Sequence, residues 1–189
     1  MPLVNGRYAP KNPNWLLAGQ PTGVYRENFP RNQINTDLAA LTTQIMSAVA
    51  IPLQAGDVVT NLTFKSGATA AGTPTNWWFA LYDTSATPVL LGQTADQLTA
   101  AWAANTRITL VLATAVNIST SGVYYAAVMV KATTVPTLIG FTSFAGASGG
   151  VFTADKVLSN TSGSSLTTTA PATIATPTTV ATVPYVAVS

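Results

Sequence analysis

Cysteine and histidine are both absent from the 189 residues, and only 7% of the residues are charged. Without cysteine there is no disulfide, thiolate nucleophile or thiolate metal ligand. Without histidine there is no imidazole ligand and no Ser-His-Asp triad. An average soluble protein carries about 25% charged residues. A chain this poor in charge is expected to turn much of its surface toward other protein, because a free monomer normally carries more solubilising charge. The same composition argues against intrinsic disorder, which goes with high charge and low hydropathy. Eight basic and six acidic residues are scattered singly, for a net charge of +2. No basic cluster stands ready to neutralise a run of phosphates, so no direct nucleic-acid contact is expected. No apolar run approaches the roughly 18–20 residues that span a bilayer, and residues 1–20 lack the basic start and apolar core of a secretory signal. A cytosolically made product without membrane contact or cofactor is the expectation.

What is present is strand-forming. In Val58–Lys65, Val58, Thr60, Leu62 and Phe64 fall on one face and Val59, Asn61, Thr63 and Lys65 on the other. That period of two marks a half-buried antiparallel strand. Residues 77–82 are bulky on both faces, Trp77, Phe79 and Leu81 opposing Trp78, Ala80 and Tyr82; such a strand is covered on both sides or shows one aromatic face to a partner. The Gly/Pro-punctuated residues 66–75 between them read as a turn. Further strands are expected at about 43–53, 88–93, 107–112, 123–131, 137–142 and 183–188, with a short helix or turn at 35–41 and an Ala-rich connection at 94–105. About eight short strands with turn chemistry between them suit an all-β fold, an antiparallel β-sandwich of jelly-roll type. Pro184 places the last strand at an edge.

Two segments stand apart. Residues 1–34 are dense in proline and asparagine and hold four of the eight basic residues; proline at this density disfavours helix and interior strand and favours an extended arm. The arm also carries Tyr8, Trp15, Tyr25 and Phe29, and aromatics dominate interface energetics. It is expected to dock on neighbouring subunits, leaving 35–189 as the sandwich domain. Residues 159–182 are low-complexity Ser, Thr, Ala and Pro, read as a long excursion that returns to the sheet in a closing strand at 183–188.

Catalysis here would have to rest on carboxylates, Lys, Tyr or Ser. The acids are Glu27, Asp37, Asp57, Asp83, Asp96 and Asp155. A glycosidase needs two facing carboxylates, and no spacing favours a pair; Asp57 and Asp83 sit at ordinary turn positions. Asp57, Asp83 or Asp96 would serve calcium only within an acidic loop of alternate-residue spacing, which is not present. Trp78, Tyr82 and Trp102 are the candidates for a sugar-stacking platform, with Trp78 expected to face outward; core filling is the competing role. Gly-rich residues 144–150 lack the lysine of a phosphate loop.

Residues 50–64 (AIPLQAGDVVTNLTF), 73–83 (TPTNWWFALYD), 99–105 (TAAWAAN) and 122–128 (GVYYAAV) together resemble a β-sandwich domain of structural proteins of actinobacterial tailed phages, of the minor tail or decoration type. The likeness covers roughly residues 40–142 and the closing PYVAVS at 184–189. It implies a virion subunit, either head decoration or minor tail and baseplate, with capsid or tail proteins as partners. A symmetric homo-oligomer such as a trimer would follow, and the family supplies no catalytic residues. The alternative expectation is an adhesin reading host-surface glycans through Trp78, Tyr82 or Trp102.

Overall fold

The structure is a computed structural model that describes the backbone of Leu3–Val4 and Arg7–Tyr8 and residues 26–143 and 149–189. The order is β1 (Leu3–Val4), β2 (Arg7–Tyr8), β3 (Arg26–Glu27), a 3-10 turn (Arg31–Gln33), β4 (Thr36–Asp37), β5 (Met46–Leu53), β6 (Val58–Lys65) and β7 (Asn76–Tyr82). There follow β8 (Leu90–Gln93), β9 (Arg107–Asn117), β10 (Gly122–Lys131), β11 (Ile139–Thr142), β12 (Ser159–Ser162), β13 (Thr178–Thr179), β14 (Thr182–Pro184) and β15 (Val186–Val188). β1 and β2 pair with each other.

The rest is an all-β, antiparallel sandwich. One layer is a six-stranded sheet in the order β13-β12-β5-β10-β7-β8. The other holds two smaller sheets, β3-β15-β6-β9 and β14-β11-β4. Consecutive strands β5, β6 and β7 alternate between layers, and β10 enters between β5 and β7; this exchange gives the sandwich its jelly-roll character. The β5–β6 turn shows how sequence fixes a corner. Gly56 takes φ +93°, a region L side chains avoid, while the Asp57 carboxylate accepts the Gln54 amide at 2.9 Å.

The core between layers is built by period-two alternation. Val49, Ile51 and Leu53 of β5, Trp77, Phe79 and Leu81 of β7, and Tyr124, Ala126, Val128 and Val130 of β10 meet Leu62 and Phe64 of β6 and Val186 and Val188 of β15. On β9, Ile108, Leu110 and Leu112 point inward, while Thr109 and Val111 stay exposed.

β7 and β10 are buried on their second face as well. Met46, Ala48, Trp78, Ala80, Tyr82, Tyr125, Ala127 and Met129 form a separate cluster, closed over by Ala170, Ile174 and the partly buried Leu166. The low-complexity segment is therefore not an excursion away from the fold. It supplies the inner strand β12, then, at residues 166–174, a strap across the outer face of the six-stranded sheet, and then the edge strand β13. Two other expectations are corrected. Residues 35–41 form neither helix nor turn but the short β4, bonded to β11; residues 94–105 are a connection, as expected, with turns at 98–99 and 104–105. The closing run splits at Tyr185 between two sheets, with Pro184 in the edge strand β14; its missing amide hydrogen goes unused there.

Candidate functional site

The aromatic candidates do not form a platform. Trp78 is opposite in phase to Trp77 and Phe79, as its position in β7 dictates, but it is 0% exposed and not turned to solvent. Its indole Nε1 donates to the Thr167 carbonyl at 2.7 Å, and the Tyr82 hydroxyl donates to the Pro171 carbonyl at 2.9 Å. Both partners lie on the strap, so the strap is held by the polar tips of the rings it covers. Burial pushes the Tyr82 hydroxyl well above the ordinary tyrosine range. Trp102 lies in the other core, stacked on Trp77 at 5.1 Å, with its Nε1 donating to the Thr106 carbonyl at 3.2 Å. The expected glycan platform is thus overturned by burial of all three rings.

Of the arm aromatics, Trp15, Tyr25 and the side chain of Tyr8 lie outside the described residues. Phe29 is described and is not a docking residue. It is buried in the chain's own core, edge-on to Phe141 at 4.8 Å and to Tyr185 at 5.6 Å. Beside it the Asn28 side chain donates to the Pro184 carbonyl and accepts the Val186 amide, and β3 pairs with β15. The sandwich therefore begins by Arg26 rather than at residue 35.

Every carboxylate serves the chain's own structure. Asp57 accepts Arg26 Nε at 2.9 Å and Nη2 at 2.8 Å, and this guanidinium contact holds its pKa below the ordinary value against the opposing effect of partial burial. Burial opposes ionisation of Asp83, yet the Val89 amide, the Ser85 hydroxyl and amide, and the charge of Lys156 keep its pKa low. Asp96 accepts the Trp77 amide and the Asn76 side chain, Asp37 the Ala68 amide, and Asp155 the Val151 and Phe152 amides. Glu27 accepts the Tyr185 hydroxyl at 2.7 Å. No group of three His, Cys, Asp or Glu is placed to hold a metal ion among the described residues.

The open site is elsewhere. A groove of about 660 Å³ runs along the outward face of β6, β9 and β15 and reaches Ile139 of β11. Lys65 and Arg107 line it and are direct cross-strand partners in the β6–β9 register. Arg31 approaches from the 3-10 turn, its Nε 3.8 Å from Glu27. Ile34, Ile139 and Ala187 make the apolar wall, and the Thr63 and Thr109 hydroxyls bond to each other at 2.9 Å across the floor. Among the described residues no carboxylate forms an ion pair with Lys65 or Arg107.

No protein-family model and no curated protein matches this chain. Chemically, the groove offers cations, hydroxyls and aliphatic surface. It escaped the sequence reading because Lys65 and Arg107 are isolated charges in the chain and only strand register unites them. The signal that could have found it is the pairing of two amphipathic strands, each with a basic residue at the end where they meet.

Proposed function

We propose that the chain is a non-enzymatic structural subunit of a tailed-phage virion, serving as head decoration or as a minor tail or baseplate subunit. The segment before Arg26, with Tyr8, Trp15 and Tyr25, acts as the docking arm, and the sandwich is the displayed body. Its partners are capsid or tail proteins, and copies of the chain associate with one another, a trimer being one such arrangement. Localisation is the virion.

The observation that carries the non-enzymatic reading is the commitment of all six acidic residues to hydrogen bonds that hold turns and strand ends. In a chain without histidine or cysteine, no free pair of carboxylates remains for glycoside hydrolysis. The virion assignment is supported by the resemblance of the strand motifs and by the low charge. Burial of Trp78, Tyr82 and Trp102 removes the rings on which the adhesin alternative depended.

Light scattering on the full chain and on a chain starting at Arg26 tests this assembly. The truncation begins there because β3 and Phe29 belong to the sandwich. Both forms are expected to be oligomers of the same order, since the body makes the symmetric contact and the arm is left for the particle. Two well-behaved monomers would contradict the self-association.

A further inference from the structure

We infer that the groove along β6, β9 and β15 is a docking site for an acidic, aliphatic segment of a partner protein. Lys65 and Arg107 stand directly opposite each other, and like charges in that position destabilise an antiparallel pair. Nothing in the described chain relieves them. Arg31, the third cation of the groove, has Glu27 nearby at 3.8 Å, and that carboxylate is already engaged by the Tyr185 hydroxyl. Ser189, at the rim, has its carbonyl oxygen taken by the amides of Thr60 and Asn61 at 2.7 Å. An incoming carboxylate would turn the repulsion into a charge-assisted contact.

The chemistry of the walls narrows the occupant. Ile34 and Ile139 lie beside the cations, so a bare inorganic anion leaves the apolar part of the groove unused. A sugar ring would want an exposed aromatic face, whereas of the two rings that line the groove Phe64 is fully buried and Tyr185 is half-buried, edge-on to Phe29 with its hydroxyl donated to Glu27. A peptide bearing both carboxylates and aliphatic side chains uses all of it, and the volume is of the size that holds a small ligand or a short peptide stretch.

The occupant is not this chain. Residues 1–25 contain Arg7 and Lys11 and no acid, and the six carboxylates that a second copy could offer are all hydrogen bonded within their own fold. Charge complementarity therefore calls for a different protein. The groove has this character whether or not the chain belongs to a virion.

The test is fluorescence anisotropy of the full chain with a labelled octapeptide alternating glutamate and valine. Saturable binding that weakens as salt rises is expected. The double variant Lys65→Gln, Arg107→Gln should bind about tenfold more weakly, and Lys131→Gln, on the other layer, should bind as the parent does. Melting by circular dichroism should show the double variant at least as stable as the parent, because the like-charge pair is gone; this separates lost binding from lost folding. Four results would overturn the inference: no saturable binding of the octapeptide, equal binding by the double variant, equal binding of a peptide alternating glutamate and serine, or tighter binding of an oligothymidylate.

Discussion

Ile174→Ala is the sharpest probe of the strap. Ile174 is 2% exposed, and it packs in the cluster that contains Trp78, Tyr82 and Met129. Its amide donates to the Pro88 carbonyl at 2.9 Å, and the Ala172 carbonyl accepts the Leu90 amide at 2.9 Å; the backbone of the strap is thereby pinned to the start of β8. Truncation to alanine removes three carbons, worth about 2.4 kcal/mol at ~0.8 kcal/mol each. A partly collapsed cavity brings the total to about 3 kcal/mol. For a chain of this size each kcal/mol moves Tm by about 2–4 °C, so a fall of about 6–12 °C is expected by calorimetry. Amide exchange at residues 166–174 should accelerate together with that of Leu90. If the variant melts within 1 °C of the parent, on the order of a third of a kcal/mol, the strap is not packed on the sheet and the aromatic face is open.

Phe29→Ala should destabilise the sandwich by about 3 kcal/mol in urea unfolding; an unchanged midpoint would return Phe29 to the docking arm. Gly140→Ala should cost about 3 kcal/mol by the same assay, because a Cβ there would collide with the Val183 carbonyl oxygen and sit 2.8 Å from Leu38 Cδ1. Asp57→Asn tests the Arg26 pair through pH. The folded pKa of Asp57 is depressed, so its contribution is full above the unfolded value of about 3.9 and is lost as pH falls through the lower folded value. The parent's acid-induced loss of stability should therefore be shallower in Asp57→Asn, and identical pH profiles would show that the pair contributes nothing.

The elements that the sequence made legible are those with one wet face and one dry face. β6 from Asn61 onward and β9 up to Leu112 alternate because their outward residues meet solvent and their inward residues meet β7 and β10. At the start of β6 a register shift between Val59 and Asn61 buries Val59 and exposes Val58, the reverse of the expected faces, and β9 runs on to Asn117. β7 was legible as apolar on both faces, its second face either covered or shown to a partner; in the fold Trp78 and Tyr82, with Ala127 and Met129 of β10, make that second face. What covers that face was hidden. The strap holds it with a few anchors, Leu166, Ala170 and Ile174, and with the backbone carbonyls of Thr167 and Pro171. Carbonyls have no sequence signature, and the anchors are diluted in a hydroxyl-rich run. β12 was missed for a related reason. Its residues Ser159, Asn160, Thr161 and Ser162 carry no apolar alternation, yet it is an inner strand beside β5. Phe29 was misread because Pro30 and its neighbours suggest an arm, while the Asn28 clamp and the Phe141 contact come from residues far away in sequence. The basic groove depended wholly on register, which single-strand periodicity does not supply.

The measurement that tests the central claim most directly is fractionation of gradient-purified particles from cells producing a phage that encodes this chain. Quantitative mass spectrometry should find the full chain in the particles at a fixed number of copies, and a chain starting at Arg26 should fold but remain in the unassembled fractions. Absence of the full chain from the particles would contradict the account; equal incorporation of both forms would contradict the arm as its dock.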